Sequence, residues 1–322
     1  KRKFKLIKLK SNKTIFSIFR IRDKLKNDLI NYEKVILISN QNFANILSII
    51  ACFNLKRVKT ILFERNHLSE LDNNKSLKLE LKNSILKLCI KIFYKFSDQI
   101  ITNSYESSRD LQKFINSKVL TIQNFYNFSE LKKKSKFRLE KKIKFKKNIV
   151  LNVGRFEDQK DQIILLKAFK ILNKINKNIN LLLIGDGSKL NFLRNYIIQN
   201  KLHNNIQILT GIKNSLPYFK NCNLYFSTSK YEGFPNALVE ATFFKLPIIS
   251  TFFKSGLNEI LKNEKGGVIL KNKSSRHIAD KIQWFFKKKN QLAKKQLYAK
   301  KNLKNFNYHI GERKFKKIIL KI

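Results

Sequence analysis

Apolar residues in this chain occur in two spacings. Short unbroken runs such as VILIS, TILF and NLLLI alternate with longer stretches in which Leu, Ile and Phe recur every three or four positions. The short runs read as strands buried on both faces, and the longer spacing as amphipathic helices. Their alternation predicts repeated β-α units and parallel sheets. In the first half it puts strands at 35–39, 58–63, 99–102 and 119–122, with helices at 42–53, 76–96 and 105–116. Residues 1–10 form a further strand candidate, interrupted by lysines.

The stretch 131–147, LKKKSKFRLEKKIKFKK, breaks the alternation with ten basic residues and one acidic one. Such a run predicts a solvated linker and a domain boundary. Beyond it strands recur at 148–153, 180–184, 206–209, 223–227, 247–250 and 267–270, with helices at 160–173, 188–200, 236–245 and 274–289. The predicted architecture is α/β. A Rossmann-like domain over 1–130 is followed by the linker, a second Rossmann-like domain over 148–290, and a basic helical tail over 291–322 available to pack back on the first domain. Ligands of open parallel sheets bind beyond the carboxyl ends of the strands, so the cleft between two such domains is the default site.

Composition changes the weighting. The chain carries 68 Lys+Arg against 22 Asp+Glu, a formal net charge of +46, yet 43% of its 322 residues are hydrophobic, enough for two packed cores. Lys, Asn, Ile and Phe are abundant in the way a strongly AT-rich coding sequence produces, and much of the charge reads as background. Gly (9) and Pro (3) are scarce, and every one lies after residue 150. A composition that disfavours these residues leaves them where the backbone needs them, which directs the search for a ligand to the second half. Cys52, Cys89 and Cys222 stand singly in apolar stretches and read as reduced thiols of a cytoplasmic protein. No apolar run is long enough to cross a bilayer, and no signal peptide is visible. The chain contains no Met, as expected of one that starts inside a longer open reading frame.

Three segments carry chemistry. In VLNVGRFEDQK (150–160) a buried strand runs into Gly154 and Arg155, with Lys160 opening the next helix. Two cations beside a tight turn suit a diphosphate, or are simply two more cations in a Lys-rich chain. In LLLIGDGS (181–188) the Gly-Asp-Gly makes a sharp strand-to-helix turn with Ser188 as N-cap, and it is not a dinucleotide fingerprint. In SKYEGFPNALVEATFFKLP (229–247), Glu232 and Glu240 straddle a Gly-Phe-Pro turn that opens a helix. The N–H groups around Asn236, Ala237 and Leu238 form an anion site aided by the helix dipole. A carboxylate at Glu240 can accept two hydrogen bonds from a ribose diol. Two carboxylates beside a phosphate need hydroxyl-bearing partners, which points to a nucleotide sugar; the bland alternative is one surface Glu and one helix Glu.

These segments resemble glycosyltransferase family four, the retaining nucleotide-sugar-dependent enzymes of the GT-B fold. The matching stretches are VGRFEDQKDQIILLKAF, LLLIGDGSKLNFL, NIQILTGIKNSLPYFKNCNLYFSTSKYEGFPNALVEA, LPIIST and SGLNEIL, in family order across the second domain. In the first half SDQIITNSYESSRDL, KVLTIQNFYN and ILFERNHLSEL are similar to family segments. The resemblance implies two Rossmann-like domains facing each other across a cleft. The first β-α unit or units are expected to be missing, because no Gly-rich loop precedes residue 154. It implies transfer of a hexose or N-acetylhexosamine from a UDP-linked donor to a glycan or lipid-linked acceptor in surface polysaccharide or glycolipid synthesis. By the same resemblance Arg155 and Lys160 bind the donor diphosphate, Glu240 the ribose hydroxyls, and Glu232 lies by the transferred sugar. Gly154 lines the donor site. The backbone of Gly233, Phe234, Pro235, Asn236, Ala237 and Leu238 contacts sugar and phosphate, and Gly211 and Ile212 lie near the nucleobase. No metal or other cofactor is implied.

Several positions depart from the pattern. Lys245 stands where Gly is usual, Phe252, Phe253 and Lys254 replace small or acidic residues, and His67 sits displaced in the loop after 60–63. His67 either assists at the acceptor hydroxyl or is a structural histidine. Leu77, Leu81, Leu88 and Ile92, interleaved with Lys78, Lys82, Lys87, Lys91 and Lys95, make either a basic face for an anionic membrane or a core-facing helix with solvated lysines. The rival function classes are a basic nucleic-acid-binding protein and a catalytically degenerate scaffold. No nucleic-acid-reading module is recognisable, and the basic residues spread through both halves.

Overall fold

A computed structural model describes residues 14–72 and 76–322; the strand candidate at 1–10 lies outside the described residues. The chain forms two compact units. One holds the described residues up to Ile122 together with Phe315–Ile322, the other Gln123–Lys314.

In the first unit β1 (Val35–Asn40), β2 (Val58–Glu64), β3 (Gln99–Thr102) and β4 (Leu120–Thr121) lie side by side in chain order, all parallel. Helices Asn42–Cys52, Leu77–Phe93 and Tyr105–Ile115 make the crossovers. Ser76 and Ser104 cap the last two, each accepting a backbone N–H three residues on. One sheet face packs Ile46, Ile49, Leu62, Ile90, Tyr94 and Leu111. The other carries Ile61, Ile101 and Ile122, covered by Phe315, Ile318, Ile319 and Ile322. The helix Ser17–Asn31, absent from the sequence expectation, precedes β1.

The second unit contains β5 (Ile149–Val153), β6 (Asn180–Ile184), β7 (Ile206–Leu209), β8 (Leu224–Ser227), β9 (Ile248–Thr251) and β10 (Val268–Leu270). Their order across the parallel sheet is β10-β9-β8-β5-β6-β7. Helices Gln162–Ile175, Leu190–Gln199 and Ser275–Lys287 cover one face, and Leu216–Phe219, Asn236–Phe243 and Leu257–Leu261 the other. This is a doubly wound sheet. Its topological switch point lies between β5 and β8, where the chain leaves in opposite directions and opens a crevice at the carboxyl ends.

The basic stretch 131–147 belongs to this second unit, and the division of the chain falls before it, at 122/123. Helix Phe128–Lys134 occupies its start. Leu139, Ile143 and Phe145 then pack on the second core, and the Glu140 carboxylate accepts the N–H groups of Lys213 (3.0 Å) and Asn214 (2.7 Å). Those two donors hold the Glu140 carboxyl below its ordinary range. The tail forms two helices, Ala293–Asn302 and Tyr308–Ile319. In a chain so poor in Gly, Asn54, Asn116, Asn148 and Asn263 take left-handed positions, since a short polar side chain tolerates them.

Candidate functional site

The switch point is lined by the turn after β5 and the loop after β8. Gly154 continues β5, its N–H donating to Ile184 O at 3.0 Å. Across from it, a Cβ on Gly185 would stand 2.0 Å from the Gly154 carbonyl oxygen, so only glycine lets these two turns touch. Phe156, fully buried, anchors the loop beneath. The exposed Arg155 reaches Gln159 (Nη2 to Oε1, 3.3 Å) and pairs with no carboxylate among the described residues. Lys160 precedes the helix, which begins at Gln162, and its stem lies over Gly154, 3.4 Å from where a Cβ would be.

The loop after β8 brings Glu232 to this turn. The Lys160 ammonium donates to Glu232 Oε1, and Ser229 Oγ donates to the same oxygen at 2.6 Å. Gln159 Nε2 bonds Tyr231 O at 2.9 Å and reaches Glu232 Oε2 at 3.5 Å, while Thr228 Oγ1 donates to Lys160 O at 2.7 Å. The Glu232 side chain is only 8% exposed and that of Lys160 20%. A carboxylate this buried is stable because it has a cation and hydroxyl to accept from. The two residues assigned separately to diphosphate and sugar are thus partners in one ion pair.

Gly233, Phe234 and Pro235 turn the chain into helix Asn236–Phe243. Phe234 is buried, and Gly256 (φ 75°) packs against the turn so closely that a Cβ would come 2.8 Å from Pro235 Cδ. No side chain caps the helix. The N–H groups of Leu238 and Val239 donate to Pro235 O, whereas those of Asn236 and Ala237 meet no acceptor among the described residues. The Asn236 side chain is engaged, its Oδ1 accepting from Asn124 Nδ2 (2.8 Å) and the Tyr126 hydroxyl.

Glu240 lies one turn into this helix, partly buried. Among the described residues nothing hydrogen-bonds its carboxylate. Burial without a partner pushes its pKa from 4.5 up to about 7. The contrast with Glu232 is informative: one glutamate is satisfied internally, the other is left as an acceptor without donors. Gly211 (φ 66°) follows β7, its N–H donating to Asp186 Oδ2 at 2.8 Å, with open space where a side chain would project. Ile212 packs partly buried on the sheet.

Sequence reasoning left Gln159, Ser229, Asn124 and Tyr126 without roles, although each falls in or beside a quoted motif. Phe253 is 1% exposed and belongs to the core. Lys245 adopts φ 58°, the left-handed conformation for which glycine is suited.

His67 lies in the first unit and is 3% exposed. Ser69 N donates to its Nδ1 at 3.1 Å, which leaves the proton on Nε2, 3.0 Å from Asp110 Oδ2. Both ring nitrogens of this buried histidine thus have partners within the first unit, Ser69 on one side and Asp110 on the other. Its neighbour Glu64, at the end of β2, is 4% exposed and accepts from the Tyr94 hydroxyl at 2.7 Å. Burial pushes the Glu64 carboxyl up to about 7. Among the described residues no group of three or more His, Cys, Asp or Glu is placed to hold a metal, and no helix is long and apolar enough to cross a membrane.

Residues 133–305 match the family model described as glycosyl transferases group 1. An uncharacterized glycosyltransferase of Methanocaldococcus jannaschii is 33% identical over 262 residues, 77% of this chain and 61% of that protein. The capsular polysaccharide biosynthesis glycosyltransferase CapH of Staphylococcus aureus is 31% identical over 192 residues, 56% of this chain and 50% of that one. The chain therefore spans half to three fifths of the length of these relatives. Among solved structures, Anabaena HepE in complex with UDP and glucose superposes with a TM-score of 0.74 at 16% identity, covering 96% of this chain and 84% of that one. TarM superposes with 0.73 at 18%, covering 94% and 57%. At such identities the likeness establishes the fold, a pair of parallel-sheet Rossmann-like units of the GT-B class.

Proposed function

The chain belongs to the glycosyl transferases group 1 family, and from that premise we propose that it transfers a hexose or N-acetylhexosamine from a UDP-linked donor, with retention, to a glycan or lipid-linked acceptor in surface polysaccharide or glycolipid synthesis. The observation that carries the reading is Glu240, a partly buried carboxylate with no donor among the described residues, one turn into a helix whose first two N–H groups are unengaged. A ribose diol supplies two O–H donors, and the adjoining diphosphate supplies the anion such a helix start attracts. Arg155, without an acid partner among the described residues, and Lys160, preplaced by Glu232, supply the positive charge a departing nucleoside diphosphate needs. With two cations and a helix N-terminus available, the proposal includes no metal. Retention follows a front-face path in which the leaving phosphate accepts the proton of the attacking hydroxyl. The structures of HepE in complex with UDP and glucose, and of the pneumococcal O-GlcNAc transferase GtfA in complex with UDP and GlcNAc, support the choice of donor class.

Binding of UDP, followed by hydrolysis or transfer across a panel of UDP-sugars, tests this reading. Glu240→Ala and Lys160→Ala should each abolish transfer. Full activity in both variants overturns the site assignment. UDP binding with neither hydrolysis nor transfer would identify the degenerate scaffold instead.

A further inference from the structure

Helix Leu77–Phe93 and the turn that follows it have two apolar faces. Ile90 and Tyr94 on one side are buried in the first unit's core, with Leu86 and Phe93 packed partly buried beside them. On the opposite side Leu77, Leu81, Ile85, Leu88, Ile92 and Phe96 are 85, 64, 54, 57, 46 and 69% exposed. Their spacing of four, four, three, four and four keeps them in one stripe along the helix. The apolar residues interleaved with lysines therefore face outward, while a separate set on the same helix faces the core. A contiguous apolar stripe of this kind on a monomer's surface marks an interaction site.

What covers it is indicated by its borders. Lys78 and Lys82 flank the stripe on one side, Lys91 and Lys95 on the other, and none of the four pairs with an acid among the described residues. Lys87, beside them, is bonded to Asp72 at 2.5 Å. A second copy of this chain would bring the same lysines and the same net charge of +46 against them, which disfavours self-association through this face. A partner complementary to it is apolar inside and anionic at its surface. We propose that this face docks on an anionic phospholipid bilayer, the helix lying in the interfacial plane with the stripe in the acyl boundary and the four lysines at the headgroups. The proposal is independent of the donor reading, because it involves no residue of the second unit.

The test is co-sedimentation of the chain with vesicles of phosphatidylcholine, with and without phosphatidylglycerol. Binding is expected only with the anionic lipid. Leu81→Ser/Leu88→Ser keeps every charge and should lower the partition coefficient at least tenfold, and both positions are exposed enough to leave the fold intact, which circular dichroism checks. Replacing Lys78, Lys82, Lys91 and Lys95 by Gln should weaken binding roughly fivefold per lysine, whereas the same change at Lys146, Lys170, Lys174 and Lys177 in the second unit should have little effect. The proposal is overturned if the Leu variant binds like the parent, or if the two lysine sets lose equally, which would mean bulk attraction. It is overturned as well if the chain stays in the supernatant with both vesicles, which would leave the stripe to an acidic protein surface.

Discussion

Replacing Glu240 by Gln should stabilise the ligand-free second unit while weakening its hold on UDP. The Glu240 pKa stands at about 7 in the fold against 4.5 for an ordinary glutamate, so the folded state binds more protons than the unfolded chain between those values. Stability from this group is therefore intact below about pH 4.5, declines as pH rises through about 7, and is flat above. The full shift corresponds to about 3 kcal/mol, of which solvent access to the carboxylate leaves on the order of 2 kcal/mol. In a unit of this size that raises the melting temperature of Glu240→Gln by roughly 4–8 °C at pH 8 and by almost nothing at pH 4. UDP should invert the order. Its ribose hydroxyls restore the ionised carboxylate, so the parent gains more from UDP than the variant does, and the parent's affinity should rise about tenfold between pH 6 and 8. Calorimetric scans of both proteins at the two pH values, with and without UDP, read all of this from the UDP-sensitive transition. A melting difference independent of pH, or equal stabilisation of both proteins by UDP, would refute the reasoning.

Lys160→Ala leaves Glu232 with Ser229 and Gln159 but no cation, and should cost about 2 kcal/mol by chemical denaturation. The double variant Lys160→Ala/Glu232→Gln should recover most of that stability without recovering UDP binding; recovery of binding would show that the pair is not the diphosphate site. Gly185→Ala drives a methyl group into the Gly154 carbonyl oxygen and should cost about 3 kcal/mol or more, seen as loss of soluble protein. Lys245→Gly should add about 1 kcal/mol by relieving the left-handed backbone, with UDP affinity unchanged. It also removes a positive neighbour of Lys300, whose ammonium burial and Lys245 together push down to about 8.

Both sheets were legible because parallel strands buried on two faces leave unbroken apolar runs, and 180–184 and 206–209 coincide with β6 and β7. Helix Ser17–Asn31 escaped notice because Arg, Lys and Asp interrupt its apolar positions, and only Leu25 is buried. Helix Phe128–Lys134 was hidden by lysines that read as linker, and nothing in it is buried. At the candidate site the local features were readable: the glycine turns, the helix start after Pro235 and the two glutamates. Their pairing was not. No spacing rule reveals that Lys160 meets Glu232 across 72 residues, or that Asn124 and Tyr126 reach Asn236, because each contact joins segments far apart in the chain, the first of them brought together by the pairing of β5 with β8.

The last eight residues return to the first unit, where Phe315, Ile318, Ile319 and Ile322 cover Ile61, Ile101 and Ile122. On the ribosome this reverses the usual order of maturation. Residues 123–314 can close their own cores as soon as they leave the exit tunnel, while the sheet made first waits with one apolar face open until residue 322 emerges. At about 5–20 residues per second, that interval lasts some tens of seconds, and it is the period in which a holdase chaperone would find its binding site on β2 and β3.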